Sequence, residues 1–190
     1  MSEKDKGNVW FRSDDHLGHA GICKFLRSDG VTKLRPWDDP EEMNEAFIKK
    51  HNEVVKPNDR VNFLGDVVIN RRYLHLLHRL NGRKRLIMGN HDIFNFKEYA
   101  EYFDDIRGIH VMSDMVLTHV PLAPECVSQR WRMNVHGHLH ANSMNSPIHI
   151  CVCMEQLDDW YPMEYSVLQK RILDQWDEYR YTRPEKKERT

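Results

Sequence analysis

Two short stretches, Val61-Asn62-Phe63-Leu64-Gly65-Asp66 and Arg85-Leu86-Ile87-Met88-Gly89-Asn90-His91-Asp92, share one plan: a mostly apolar run, a glycine, then polar side chains. Between them Tyr73, Leu74, Leu77 and Leu80 follow helical spacing over residues 71–80, and Asn81-Gly82 is a helix stop. Strand, helix, strand, with polar groups delivered at each strand's end, predicts an α/β sheet. In such sheets ligands gather beyond the carboxyl ends of the strands.

Toward the N-terminus, Asp39 is a cap for a predicted helix with Pro40 at its first position and Glu41 and Glu42 in its first turn. Met43, Ala46, Phe47, Val54 and Val55 lie near one face of it, and Pro57-Asn58-Asp59 ends it. Residues 27–40 read as a loop and 21–26 as a short helix. Val9-Trp10-Phe11 reads as a strand running into Ser13-Asp14-Asp15-His16.

Toward the C-terminus, residues 109–112, 115–118, 131–135 and 148–152 are predicted strands. Their close spacing favours antiparallel pairing. Residues 164–176 form a last predicted helix carrying Val167, Leu168, Ile172 and Trp176, and 177–190 are a charge-dense tail. The expectation is one domain over residues 1–176, mixed α/β, with two packed sheets flanked by helices.

A length of 190 residues suits a single buried core. A hydrophobic share of 40% excludes a disordered chain, and no apolar run is long enough to span a bilayer. Residues 1–8 are polar and lack the apolar run of a signal peptide, so the expected compartment is the cytoplasm. A net charge of -1 provides no overall field for nucleic acid or a membrane. Cys23, Cys126, Cys151 and Cys153 then read as reduced core thiols rather than a zinc knuckle. Cys151 and Cys153, two apart on a strand, point the same way.

Histidine is the unusual component, with 12 residues. His16, His91, His119, His138 and His140 stand beside Gly, Asp or Asn, or a predicted strand end. Asp14 and His16 are two apart, and an extended backbone turns both toward one ion. Carboxylate with imidazole suits Mn, Fe, Zn, Ni or Co better than an all-oxygen site does. An acidic cap beside a histidine is the plainer alternative. Asp66 follows a glycine that permits a sharp turn, and its carboxylate can bridge two cations. An Asx-turn would use the same residues. Asn90 offers an oxygen ligand and holds His91 near the metals without ligating. His119 ends another apolar run. Gly137-His138-Leu139-His140 presents two imidazoles on one side, each able to serve a different ion. Arg71 or Arg72 is a further candidate beside the site, although a solvent-facing helix start explains them as well.

The ordered set (D-x-H at Asp14 and His16, G-D at Asp66, G-N-H-D at Asn90 and His91, a lone His119, G-H-x-H at His138 and His140) resembles the calcineurin-like metallophosphoesterase superfamily, in its compact bacterial and phage branch. The resemblance covers nearly the whole globular part. It implies a four-layered α/β/β/α sandwich. It implies that Asp14, His16 and His140 hold a first divalent metal, that Asn90, His119 and His138 hold a second, and that Asp66 bridges them. His91 would be the non-ligand catalytic histidine. The implied activity is hydrolysis of phosphate mono- or diesters by in-line attack of a hydroxide shared between two ions, with manganese favoured. Small nucleotides are expected as substrates; His19 is expected near the site, either touching substrate or packing there.

There are departures. No Asp-Arg follows the G-D motif as in the Ser/Thr phosphatase branch, so His91 lacks an evident acidic partner. Gly21 stands where many compact members have Asn. A nuclease is the alternative reading, because Lys24, Arg27, Lys33 and Arg35 lie in one loop with Phe25 and Trp37 available to stack on bases. A non-catalytic binding protein on the same scaffold is the third.

Overall fold

The computed structural model describes residues 7–127 and 131–182. Its strands are β1 (Val9–Arg12), β2 (Arg60–Phe63), β3 (Arg83–Ile87), β4 (Asp105–Arg107), β5 (His110–Met112), β6 (Met115–Leu117), β7 (Met133–His136), β8 (His149–Cys151) and β9 (Met163–Glu164). The helices are α1 (Pro40–Val54), α2 (Phe96–Tyr99), α3 (Pro124–Val127) and α4 (Tyr165–Thr182). A 3-10 helix covers Arg71–Arg79. Two mixed sheets result, flanked by helices, as the sequence leads one to expect. One runs β4-β3-β2-β1-β9 and the other β5-β6-β7-β8.

In the first sheet β1 to β4 are parallel, and β9 is antiparallel to β1. The register sets Arg12 beside Phe63 and Phe63 beside Leu86. Three strands therefore end level, and the loops after them emerge side by side. In the second sheet only β5 and β6 are antiparallel; β6-β7 and β7-β8 are parallel. This corrects the antiparallel expectation. Residues 118–132 and 137–148 are long enough to carry the chain back for a parallel strand, which takes about a dozen residues. Strands β4 and β9, too short to show a period, escaped the sequence reading. A parallel bridge between Ser13 and Cys153 joins the ends of the two sheets.

Asp39 caps α1 by accepting from the backbone N–H of Glu41 and Glu42, with Pro40 opening the helix. Met43, Phe47 and His51 are fully buried on its inner face and Ile48 nearly so, whereas Ala46 and Val54 are only partly buried. The Arg71–Arg79 helix buries Tyr73, Leu74, Leu76 and Leu77. Helix α4 buries Leu168 and Ile172 but leaves Val167 exposed. It continues past residue 176 to Thr182, so the last helix is longer than the predicted 164–176; residues 183–190 of the expected tail lie outside the described residues. The expected short helix at 21–26 is a single 3-10 turn, Ile22–Lys24. All four cysteines are free; Cys126 is exposed on α3, against the expectation of four core thiols. Among the described residues no helix is long and apolar enough to cross a membrane.

Candidate metal centre

The loops after β1, β2, β3, β6 and β7 converge at the level strand ends. Five of their side-chain donors sit on left-handed backbone: Asp14 (φ 59°), His16 (φ 52°), Asp66 (φ 53°), His138 (φ 72°) and His140 (φ 52°). This corrects the expectation that extended backbone aims Asp14 and His16 together. Each such residue costs roughly 1–3 kcal/mol and persists only where its surroundings over-determine it. The surroundings here are backbone hydrogen bonds. Asp14 N–H donates to Gly65 O at 3.0 Å, His16 N–H to Asp66 O at 3.0 Å, and Gly137 N–H to His119 O at 2.9 Å.

Asp14, His16 and His140 form one group, whose ligand atoms lie within 4.8 Å of one another. Asp14 Oδ2 accepts from Ser13 Oγ at 2.6 Å, from the His138 N–H at 2.8 Å and from Cys153 Sγ at 3.1 Å. Its Oδ1 is buried with no hydrogen-bond partner, and so are both ring nitrogens of His16. His16 Nε2 and His140 Nε2 each stand 3.7 Å from that oxygen. Donors ~2.1 Å from a shared ion lie ~3.0–3.4 Å apart, so these separations are only slightly wider than a coordination shell, and a small inward shift of the rings would close them on an ion. Buried polar atoms are rarely left unpaired without such a reason.

Asp66, His119 and His138 form the second group. His119 Nδ1 lies 2.7 Å from Leu64 O, which fixes Nδ1–H as the donor and leaves Nε2 facing the site. That nitrogen is 2.9 Å from Asn90 Oδ1, 3.4 Å from Asp66 Oδ2 and 3.3 Å from His138 Nδ1. Asp66 Oδ1 is occupied by the His91 N–H at 2.8 Å. Its Oδ2 stands 3.4 Å from His119 and 3.7 Å from His16, between the two groups. The two groups of Asp and His, with Asn90 beside the second, could hold metal ions. Burial would raise the Asp14 carboxyl, but its neighbours, His16 first, hold it well below the usual range. Burial pulls His119 down, and the hydrogen bond to Asp66 with the charges of Asp14 and Asp66 more than offsets it, to about 8.

Two glycines make the approach possible. A side chain at Gly137 would come within 2.5 Å of Asp14 Oδ2. One at Gly65, where φ is +95°, would come within 2.6 Å of His119 Nδ1. Asp92, the last residue of the G-N-H-D motif, is a clamp: its buried carboxylate accepts from the N–H groups of Asp66, Val67 and Gly89 at 2.8–3.0 Å. It is therefore engaged elsewhere and is not the acidic partner of His91.

Arg35 and Glu155 were not anticipated as parts of the site. The Arg35 side chain is fully buried; it donates to Asp14 O at 2.5 Å, to Asp15 O at 2.7 Å and to Glu155 Oε1 at 2.7 Å. The same Glu155 oxygen lies 3.1 Å from His140 Nδ1. Burial would raise the Glu155 carboxyl, but Arg35 and His140 hold it below its ordinary value. Arg35 thus does not belong to a surface basic patch. Trp37 is likewise committed, packing on Phe47 and Trp160 at 5.1 Å each. Lys33 pairs with Asp38. Of the residues on which the nuclease reading rests, these three are occupied; Lys24, Phe25 and Arg27 remain exposed.

His91 is exposed, its ring 5.6 Å from that of His16. His19 stacks on His16 at 5.6 Å, with its Nδ1 buried and unpartnered, so it borders the first group. Gly21 leaves room for that ring, because a side chain there would lie 2.9 Å from His19 Nε2. Arg71 pairs with Glu98 and covers Phe94, and Arg72 lies against Tyr73 and Glu41, as helix-start residues on the surface do.

No family model matches the chain. The gene 66 proteins of Mycobacterium phages L5 and D29 are each 28% identical, over 169 and 196 residues; the matches cover 70% and 83% of this chain and 78% and 92% of theirs. A crystal structure of the protein of unknown function AQ665 from Aquifex aeolicus shares the fold, with a TM-score of 0.66 at 24% identity over 86% of this chain and 98% of that one. The uncharacterized protein MJ1445 of Methanocaldococcus jannaschii is 34% identical over 142 residues, 72% of each chain. The chain belongs to the same family as MJ1445.

Proposed function

We propose that the protein is a two-metal phosphoesterase of the calcineurin-like type, hydrolysing phosphate mono- or diesters of small, nucleotide-type substrates. One observation carries the reading: Asp66 Oδ2 stands 3.7 Å from His16 Nε2 and 3.4 Å from His119 Nε2, so a single carboxylate oxygen serves two ligand groups. Asp14, His16 and His140 would hold one ion, Asn90, His119 and His138 the other, and Asp66 both. Two divalent ions, when bound, lower the pKa of water and neutralise phosphate charge. The mixed nitrogen and oxygen donor set suits Mn, Fe, Ni, Zn or Co, with Mn favoured. His91, exposed beside the first group, hydrogen-bonds a phosphate oxygen as charge builds or protonates the leaving oxygen. Free cysteines fit a cytoplasmic location.

The test is hydrolysis of bis-p-nitrophenyl phosphate and p-nitrophenyl phosphate by metal-stripped protein after separate addition of Mn, Ni, Zn or Mg. Turnover restored by metal and abolished in Asp66→Asn supports the reading. A protein that takes up two ions and hydrolyses neither ester, nor any member of a nucleotide panel, would overturn it in favour of a binding role.

A further inference from the structure

A cavity of about 300 Å³ opens beside the ligand groups, between the segment after the Ile22–Lys24 turn and the loop after β7. His138 and His140 line it, so it is continuous with the candidate metal centre. Its far walls carry different chemistry. Phe25 and Leu26 are each 50% exposed, an apolar surface left open at the rim of a cluster of imidazoles and carboxylates. Arg27, Ser28 and Asn142 add a guanidinium, a hydroxyl and an amide.

The wall is organised before any ligand arrives. The Phe25 ring stands edge-on to His19 at 5.6 Å, and His19 stacks on His16. Phe25 O accepts from Leu34 N–H at 2.8 Å, and Arg27 N–H donates to Thr32 O at 2.7 Å. Asp29 closes the intervening turn by accepting from the N–H groups of Val31 and Thr32 at 2.9 and 2.8 Å. The volume is at the small end of the ~300–1,000 Å³ found for ligand pockets, room for one ring system rather than a polymer.

We propose that this cavity is the recognition subsite for the base of a nucleoside phosphate whose phosphate group sits at the His138 and His140 side. The inference rests on the phosphoesterase reading for the placement of the phosphate. An aromatic face accepts any planar base by stacking, and a guanidinium stacks or donates at its edge. Asn142 and Ser28 offer donors and acceptors to ring heteroatoms. A sugar phosphate or a simple alkyl phosphate would leave the Phe25 and Leu26 surface uncovered.

The experiment is calorimetric titration of the metal-supplemented protein with two phosphonates that resist hydrolysis, methylphosphonate and the phosphonate analogue of AMP, with bound metal quantified in parallel. The AMP analogue is expected to bind about 10-fold or more tighter, a gain typical of a base stacked on an aromatic ring. Phe25→Ala, a change at an exposed position, should bring it to the methylphosphonate level without altering methylphosphonate itself. Arg27→Ala should remove part of the preference. Equal affinity for the two phosphonates, absence of binding by both, or a preference that survives Phe25→Ala would overturn the subsite. Binding restricted to single-stranded oligonucleotides would overturn it in favour of a polymer substrate. Two bound ions with no preference for the nucleoside would sink the subsite and leave the phosphoesterase reading standing. Phe25-dependent binding of the AMP analogue by protein that takes up no metal would do the reverse.

Discussion

His140 Nδ1 lies 3.1 Å from Glu155 Oε1, a carboxylate that is itself wholly buried against Arg35. The contact fixes which nitrogen of His140 carries hydrogen and turns Nε2 toward Asp14. Outer partners of this kind typically contribute 10–100-fold to metal affinity. Glu155→Gln keeps the shape and removes the charge. We expect metal affinity of the first group to fall by about 10–100-fold, with the second group less affected. Metal titration followed by calorimetry measures this; two unchanged affinities would show that Glu155 only fills space.

His91 touches the site from the solvent side, and its backbone N–H, not its ring, is hydrogen-bonded to Asp66. His91→Ala therefore retains that backbone contact and should retain metal. Turnover should drop by about 100–10,000-fold, the usual contribution of a positioned acid or base. Full activity in this variant, with metal content measured alongside, would remove His91 from the mechanism.

Gly65→Ala tests the close approach of the loops. The added methyl group meets His119 Nδ1 at 2.6 Å and the Gly89 backbone at 2.7 Å, on backbone with φ of +95°. A loss of about 1–3 kcal/mol in urea unfolding is expected, with weakened metal binding. Gly30→Ala is the control: φ there is also positive, at +68°, but nothing lies within 4 Å. Similar losses in both variants would assign the effect to backbone conformation alone.

The pH dependence of stability follows from His51. Burial first, then the charge of Arg12, push its imidazole down to about 3. In the fold it is neutral, with Nδ1 3.0 Å from Arg12 Nη1 and Nε2 2.9 Å from Asn81 O. Unfolded, it takes up a proton near 6.5. Between about 3 and 6.5 the unfolded chain holds more protons, so the contribution is intact above pH 6.5 and is lost as pH falls toward 3. His136, pushed by burial to about 4, acts in the same direction. Unfolding free energies from urea titrations at pH 7 and pH 5 should differ by about 1–2 kcal/mol more in the wild type than in His51→Gln. An equal loss in both proteins would rule out His51 as the source.

The nature of each loop's chemistry could be read locally. Gly-Asp after an apolar run, or two imidazoles flanking one residue, can be recognised within a few positions, as can the Asp39 cap and the Pro40 start of α1. The convergence could not. The His138 N–H reaches Asp14 Oδ2 across 124 positions, and Arg35 reaches Glu155 across 120. No local period marks Arg35 or Glu155, and a basic residue in a polar loop looks solvent-facing until a fold closes over it. Strand direction in the second sheet was hidden for a related reason: loop length permits a parallel return without requiring it.

The sequence by itself therefore determined the α/β class, the order of the elements from β1 to β3 and the identity of the side chains offered at the strand ends, because these follow from short-range periodicity and donor chemistry. The tertiary structure alone decided the left-handed turns at Asp14, His16, Asp66, His138 and His140, the burial of Arg35 and Glu155, and the open Phe25 wall. Those depend on which distant backbone groups are left to satisfy, and that is settled only when the two sheets meet at Ser13 and Cys153.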